Sequence, residues 1–112
     1  AKELIDLHYG NQDCRMYSDF RELLAQPDID AVFIATGDRW HTAASIYAAR
    51  AGKDMYCEKP ISMCISEGRA LVEACQRYGT IYQPGTQRRN TESYAFALEI
   101  VVQGKIGRVH TL

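Results

Sequence analysis

The 112-residue sequence contains no C-x-x-C pair and no Cys/His cluster at zinc-ligand spacing. Its four cysteines, Cys14, Cys57, Cys64 and Cys75, therefore read as buried or half-buried free thiols, with neither a disulfide framework nor a structural metal site. No apolar stretch approaches the roughly 18 residues that a transmembrane helix needs. The opening AKELIDLHYG holds neither a signal h-region nor a cleavage site. Excess charge of one sign is missing too: 13 Lys+Arg against 14 Asp+Glu give a formal net charge of -1. That balance provides no field to draw nucleic acid or an anionic membrane, so neither is expected as a partner. No low-complexity linker or internal repeat interrupts the chain. The remaining composition, 46% hydrophobic and 24% charged, is that of an ordinary globular segment of at most one domain.

What is present is a short apolar run followed by a helix, three times over. AVFIAT (31–36) is a continuous apolar run rich in β-branched residues, the pattern of a strand covered on both faces. DMYCE (54–58) and TIYQP (80–84) are the next two runs, and CRMY (14–17) is a shorter, weaker strand candidate. Ser18 or Asp19 is suited to cap a helix carrying Phe20, Leu23 and Leu24, which Pro27 stops. Trp40 to Ala51 is Ala-rich and ends at Gly52. Leu71, Ala74, Cys75 and Tyr78 fall at i, i+3, i+4, i+7 before Gly79, and Tyr94, Ala97, Leu98 and Val101 repeat the spacing before Gly104. Leu4, Ile5 and His8 open the chain at helical spacing, and GRVHTL (107–112) reads as the start of a strand with Val109 and Leu112 apolar. Both ends are expected to lie inside a longer protein. Strand–helix–strand alternation with short connections predicts an α/β fold, a doubly wound parallel sheet. Ligands of such sheets bind beyond the carboxyl ends of the strands. Three loops follow those ends.

The first is TGDRWH (36–41). Asp38 is placed to cap the Ala-rich helix, and Gly37 lets a ligand approach the backbone closely. Trp40 and His41 fall in the first helical turn; taken alone, each reads as a packing residue, and only position makes it a site candidate. The second loop is CEKP (57–60), an acid and a base side by side at a strand's end. Pro60 restricts Lys59 to an extended conformation, with the Lys59–Pro60 isomer left open and trans the ordinary expectation. A lysine in a partly desolvated crevice is suited to proton transfer, whereas the bland alternative is a surface ion pair at a turn. The third loop is GTQRRN (85–90). Gln87 offers both donor and acceptor, and Arg88 and Arg89 offer forks for carboxylate or phosphate, one of them expected to be merely solvated.

In order along the chain, DFRELL (19–24), PDIDAV (27–32), TGDRWH, AGKDMYCEKP (51–60) and GTQRR resemble the glucose–fructose oxidoreductase/inositol dehydrogenase (Gfo/Idh/MocA) family. The resemblance implies a Rossmann-like domain binding NAD or NADP, of which residues 1–112 would be the middle and end, strands 3 to 6 of the order 3-2-1-4-5-6. No G-x-G-x-x-G occurs in the sequence. The Gly-rich phosphate turn, the NAD/NADP selector and the C-terminal substrate domain of the family are therefore expected elsewhere in a longer protein, itself expected to form homo-oligomers. The resemblance further implies that Thr36, Gly37, Asp38, Trp40 and His41 border the cofactor. It makes Glu58 the partner of the nicotinamide ribose, Lys59 the catalytic lysine beside nicotinamide and substrate, and Pro60 an often cis proline. Gln87 and Arg88 match the segment near nicotinamide and substrate. Many members have Thr-Pro-Asn where this chain has Thr36-Gly37-Asp38, which keeps the capping residue but loosens the loop.

The function so implied is hydride transfer between a nicotinamide cofactor and a sugar, polyol or related hydroxylated small molecule, with no metal. Two alternatives stay open at this stage. One is a glycosidase that uses NAD for transient oxidation; the other is a non-catalytic nucleotide-binding protein on the same fold.

Overall fold

The computed structural model describes residues 1–111. Its centre is a three-stranded parallel sheet in the order β1-β2-β3, with β1 Ala31–Ile34, β2 Asp54–Glu58 and β3 Tyr82–Gly85. Helix α3 (His41–Arg50) connects β1 to β2, and α4 (Ile65–Tyr78) connects β2 to β3. Both connections are the helical crossovers that parallel strands require. Helices α1 (Lys2–Tyr9) and α2 (Phe20–Leu24) precede the sheet, and α5 (Glu92–Val102) follows it.

Side-chain alternation decides what each strand face meets. Val32, Ile34, Met55, Cys57 and Tyr82 turn toward α3 and α4, where Ala44, Ala48, Ala49 and Ala74 allow close helix–sheet approach. Leu24, Ile34 and Met55 are buried in this layer, each contributing about 1.5–3 kcal/mol of transfer free energy. Phe33, Tyr56 and Gln83 occupy one register row on the opposite face, with the Phe33 and Tyr56 rings stacked at 5.1 Å and 7°. The expected burial of AVFIAT on both faces is therefore not met among the described residues. Phe33 is 66% exposed because α3 and α4 both pack on the other side.

Local punctuation follows the residues. The Asp19 carboxylate accepts a hydrogen bond from the Arg21 N–H at 2.9 Å and starts α2. Gly79 stops α4 at φ 67, a left-handed turn that a side chain would oppose. Lys53 ties the α2–β1 loop to the start of β2: its ammonium donates to the carbonyls of Gln26 and Ile29 at 2.8 and 2.7 Å.

Four expectations need correction. Residues 12–17 form no strand, because no neighbouring strand of the described residues offers them a ladder; Arg15 anchors the segment instead, donating to Gln26 Oε1 at 3.2 Å and pairing with Asp28. Residues 107–111 form no strand either: Gly107, at φ 81, turns the backbone out of the extended region where one was expected to begin. Leu112, the other apolar member of that expected strand, lies outside the described residues. Asp38 does not cap α3, since a 3-10 turn at Asp38–Trp40 separates it from the helix and Trp40 takes the cap position without a side-chain bond. Cys64 is exposed where a covered thiol was expected, since it stands at the start of α4; the other three thiols are free and at least half-buried.

Candidate functional site

The register Ile34↔Cys57↔Pro84 brings the carboxyl ends of all three strands level, so the loops after them share one edge of the sheet. Two sets of contacts join these loops. His41, 1% exposed, sits between the first and second: Nδ1 lies 2.7 Å from the Pro60 carbonyl oxygen and Nε2 3.1 Å from that of Thr36. Next to it the Thr42 hydroxyl donates to the Ile61 carbonyl at 3.0 Å. The start of α3 thus fixes the position of the Lys59–Pro60 turn, whose peptide bond is cis. Both nitrogens of His41 face backbone carbonyls, which agrees with the packing reading of that residue.

The second and third loops meet through side chains. The Gln87 amide donates to Glu58 Oε1 at 3.2 Å, and the Tyr56 hydroxyl donates to Gln87 Oε1 at 3.0 Å. The Lys59 backbone N–H lies 3.4 Å from Glu58 Oε2, a long contact. Gly85 in β3 is paired with Glu58, and a Cβ there would come within 2.9 Å of both Glu58 Cα and Oε2. Close approach of the two strand ends therefore requires glycine. Sequence reasoning missed Tyr56 and Gly85; the signal available was that Tyr56 stands two residues before Glu58 and so shares its strand face.

The remaining candidates are more open. Thr36, Gly37, Asp38 and Trp40 are exposed, and the Thr36 hydroxyl reaches only the Gly37 carbonyl at 3.3 Å. Gly37 adopts φ -66, ψ 149, a conformation proline also takes, with nothing within 4 Å of an added Cβ. The loop path is thus the same as the more rigid Thr-Pro-Asn version would favour. Thr36 and Trp40 border an apolar groove of about 390 Å³ that runs along β1 between Phe20, Leu24, Phe33 and Ala48; Glu58, Lys59 and Gln87 do not line it. Lys59 is exposed and forms no ion pair among the described residues, so the desolvated crevice expected around it is not built by them. Arg88 and Arg89 are both exposed; Arg88 reaches α5, donating to the Tyr94 hydroxyl at 3.0 Å with its guanidinium over the ring.

This arrangement brings an acceptor-only carboxylate, an amide and an ammonium-bearing residue to one sheet edge beside two tied backbone loops. Residues 8–86 match the GFO_IDH_MocA family, described as an oxidoreductase family with an NAD-binding Rossmann fold. The chain is 33% identical over 87 residues to 1,5-anhydro-D-fructose reductase of Ensifer adhaerens, covering 78% of this chain and 26% of that protein. The crystal structure of myo-inositol 2-dehydrogenase from Lactobacillus plantarum superposes with a TM-score of 0.75 at 30% identity, over 96% of this chain and 31% of that one. Scyllo-inositol dehydrogenase from Lactobacillus casei, solved with bound NAD(H) and scyllo-inositol, gives 0.72 at 32% identity, over 94% and 31%. The chain thus spans between a quarter and a third of the length of these relatives. It belongs to the Gfo/Idh/MocA oxidoreductase family, through a parallel α/β unit of the NAD-binding Rossmann type.

Proposed function

We propose that this chain is part of an NAD(P)-dependent oxidoreductase that moves a hydride between nicotinamide and a hydroxyl-bearing carbon of a sugar, polyol or similar small molecule. Residues 1–112 would be the middle and end of its dinucleotide-binding domain, and the complete protein would be a homo-oligomer. The observation that carries the reading is the Gln87–Glu58 contact at the level ends of β3 and β2, immediately beside Lys59.

The donor set fits the nicotinamide–ribose end of a dinucleotide. Glu58 is half-buried, and its Oε2 receives only the long contact from the Lys59 N–H, which leaves acceptor capacity for ribose hydroxyls. Gly37 leaves the loop after β1 open to close backbone approach, and Thr36, Asp38, Trp40 and His41 would form the border of the same site, His41 from beneath. Gln87 and Arg88 would face nicotinamide and substrate from the third loop. The bound dinucleotide supplies the hydride acceptor or donor.

Lys59 would take the proton role. In the reducing direction its ammonium would hydrogen-bond the substrate carbonyl, stabilise the charge that develops on oxygen and give that oxygen a proton; in the oxidising direction the neutral amine would accept the proton of the substrate hydroxyl. Pro60 and the His41 and Thr42 contacts would keep its backbone fixed while the side chain reaches the substrate.

The test is Lys59→Ala in the full-length protein, assayed with NAD+ and NADP+ against a panel of inositols and sugars. Turnover is expected to fall about 10²–10⁴-fold, the range for a positioned acid–base group. Undiminished turnover in a folded variant would remove Lys59 from the mechanism. The curated and solved relatives named above are a reductase and two inositol dehydrogenases, which favours net redox chemistry over transient oxidation or a non-catalytic role.

A further inference from the structure

We infer that Tyr56 is a positioning residue for the Glu58 carboxylate, acting through Gln87. The inference rests on the proposed role of Glu58 at the cofactor. Tyr56 and Glu58 are two residues apart on β2 and so project from the same face, opposite the buried Met55 and Cys57. The side chain of Gln87 spans them, with its amide nitrogen 3.2 Å from Glu58 Oε1 and its oxygen 3.0 Å from the Tyr56 hydroxyl.

Proton inventory gives this chain one direction. An ionised carboxylate only accepts, so Gln87 must turn its NH₂ toward Glu58 and its oxygen toward Tyr56, where the phenol is the donor. The reverse amide orientation sets oxygen against carboxylate. Without the phenol, the amide loses the contact that anchors its other end. The ring that carries the hydroxyl is held in turn by parallel stacking on Phe33 in the next strand. On its far side Glu58 packs against Gly85, where a Cβ would strike both its backbone and its carboxylate. One carboxylate oxygen is thus fixed from the third loop, and Oε2 is left to the cofactor.

A residue acting in this way affects how tightly the dinucleotide is held more than how fast hydride moves. The experiment uses the full-length protein with Tyr56→Phe, which keeps the stacked ring, together with Glu58→Gln and the double variant. Dinucleotide binding to each is measured by calorimetry without substrate, and kcat and cofactor KM are measured separately. Tyr56→Phe is expected to weaken NAD(H) binding about two- to tenfold, the range of one net hydrogen bond, with the loss in KM rather than kcat. The double variant is expected to bind no more weakly than Glu58→Gln alone, because residues acting through one another are non-additive. Unchanged affinity in Tyr56→Phe, while Glu58→Gln binds more weakly, overturns the relay and leaves the role of Glu58 standing. Additive losses overturn it as well. Unchanged affinity in Glu58→Gln overturns the cofactor role of Glu58 and, with it, the relay.

Discussion

Two glycines at the same sheet edge separate the demands of packing from those of access. Gly85 stands where a methyl group would meet Glu58 Cα and Oε2 at 2.9 Å and the Cys57 carbonyl at 3.1 Å. Two of those atoms are backbone, so a rotamer change cannot relieve the overlap, and β2 and β3 must separate. Gly85→Ala is expected to destabilise the full-length protein by about 1–3 kcal/mol, the usual range for overpacking. It should also weaken dinucleotide binding, because Glu58 moves with its strand. Gly37→Ala meets nothing within 4 Å at φ -66 and is expected to change stability by no more than about 0.5 kcal/mol. Urea denaturation of the two variants checks the contrast, and equal stabilities would contradict it. The meeting of Glu58 and Gln87 at one edge was legible in the sequence because the segments that carry them end neighbouring strands of one parallel sheet. Gly85 was not, since what makes it necessary is a neighbour 27 residues away in another strand.

At the scale of the element, the readings that held were those whose cause is local. The strand DMYCE, AVFIAT with a shorter end, and TIYQP shifted to Tyr82–Gly85 came from apolar runs, and Gly79 marked the stop of α4. The expectations not met have two causes: among the described residues CRMY has no adjacent ladder, whereas Gly107 turns the backbone at the start of the expected last strand and a 3-10 turn separates Asp38 from α3. The α5 face Tyr94, Ala97, Leu98 and Val101 is helical as expected, but apart from Arg88 over the Tyr94 ring no other element of the described residues buries it, and Leu98 is 64% exposed. Asp19 at the start of α2 is a local signal with a measurable pH signature. The Arg21 guanidinium and backbone N–H hold its carboxyl down, from an ordinary 3.8 to about 2. A depressed folded-state value means that the ionised form favours the folded state. The contribution is complete above pH 3.8, declines as the pH falls toward 2, and is gone below it. Asp19→Asn keeps a capping oxygen but loses the ion pair. The stability difference between the parent protein and the Asp19→Asn variant is therefore expected to shrink as pH falls from about 3.8 to about 2, a trend that denaturation at fixed temperature reads directly. A difference that grows on acidification would contradict the ion-pair account.

The whole molecule extends well beyond its own core. Its radius of gyration is 18.7 Å, with principal extents of 55 × 39 × 22 Å, whereas a compact chain of this length has about 13 Å. The excess comes from the flanks: α1 and α5 bury none of their residues, while the sheet, α3 and α4 hold nearly all the fully buried side chains. Phe33, Phe96, Leu98 and Val102, each more than 60% exposed, leave apolar area in contact with solvent, and among the described residues β1 has one unpaired edge. The proposed role of Glu58 concerns only the nicotinamide–ribose end of a dinucleotide. Pyrophosphate is held by backbone N–H groups at a Gly-rich turn and helix start, and no G-x-G-x-x-G occurs in these 112 residues. The 112-residue chain produced by itself is therefore expected to bind NAD(H) no more tightly than about 1 mM, a few weak contacts' worth of free energy. It is also expected to self-associate as its concentration rises, through the open strand edge and the exposed apolar faces. Calorimetry and sedimentation of the isolated chain test both. A low-micromolar affinity would mean that the strand-end loops alone hold the dinucleotide, and a strictly monomeric chain would mean that its exposed apolar faces are not adhesive.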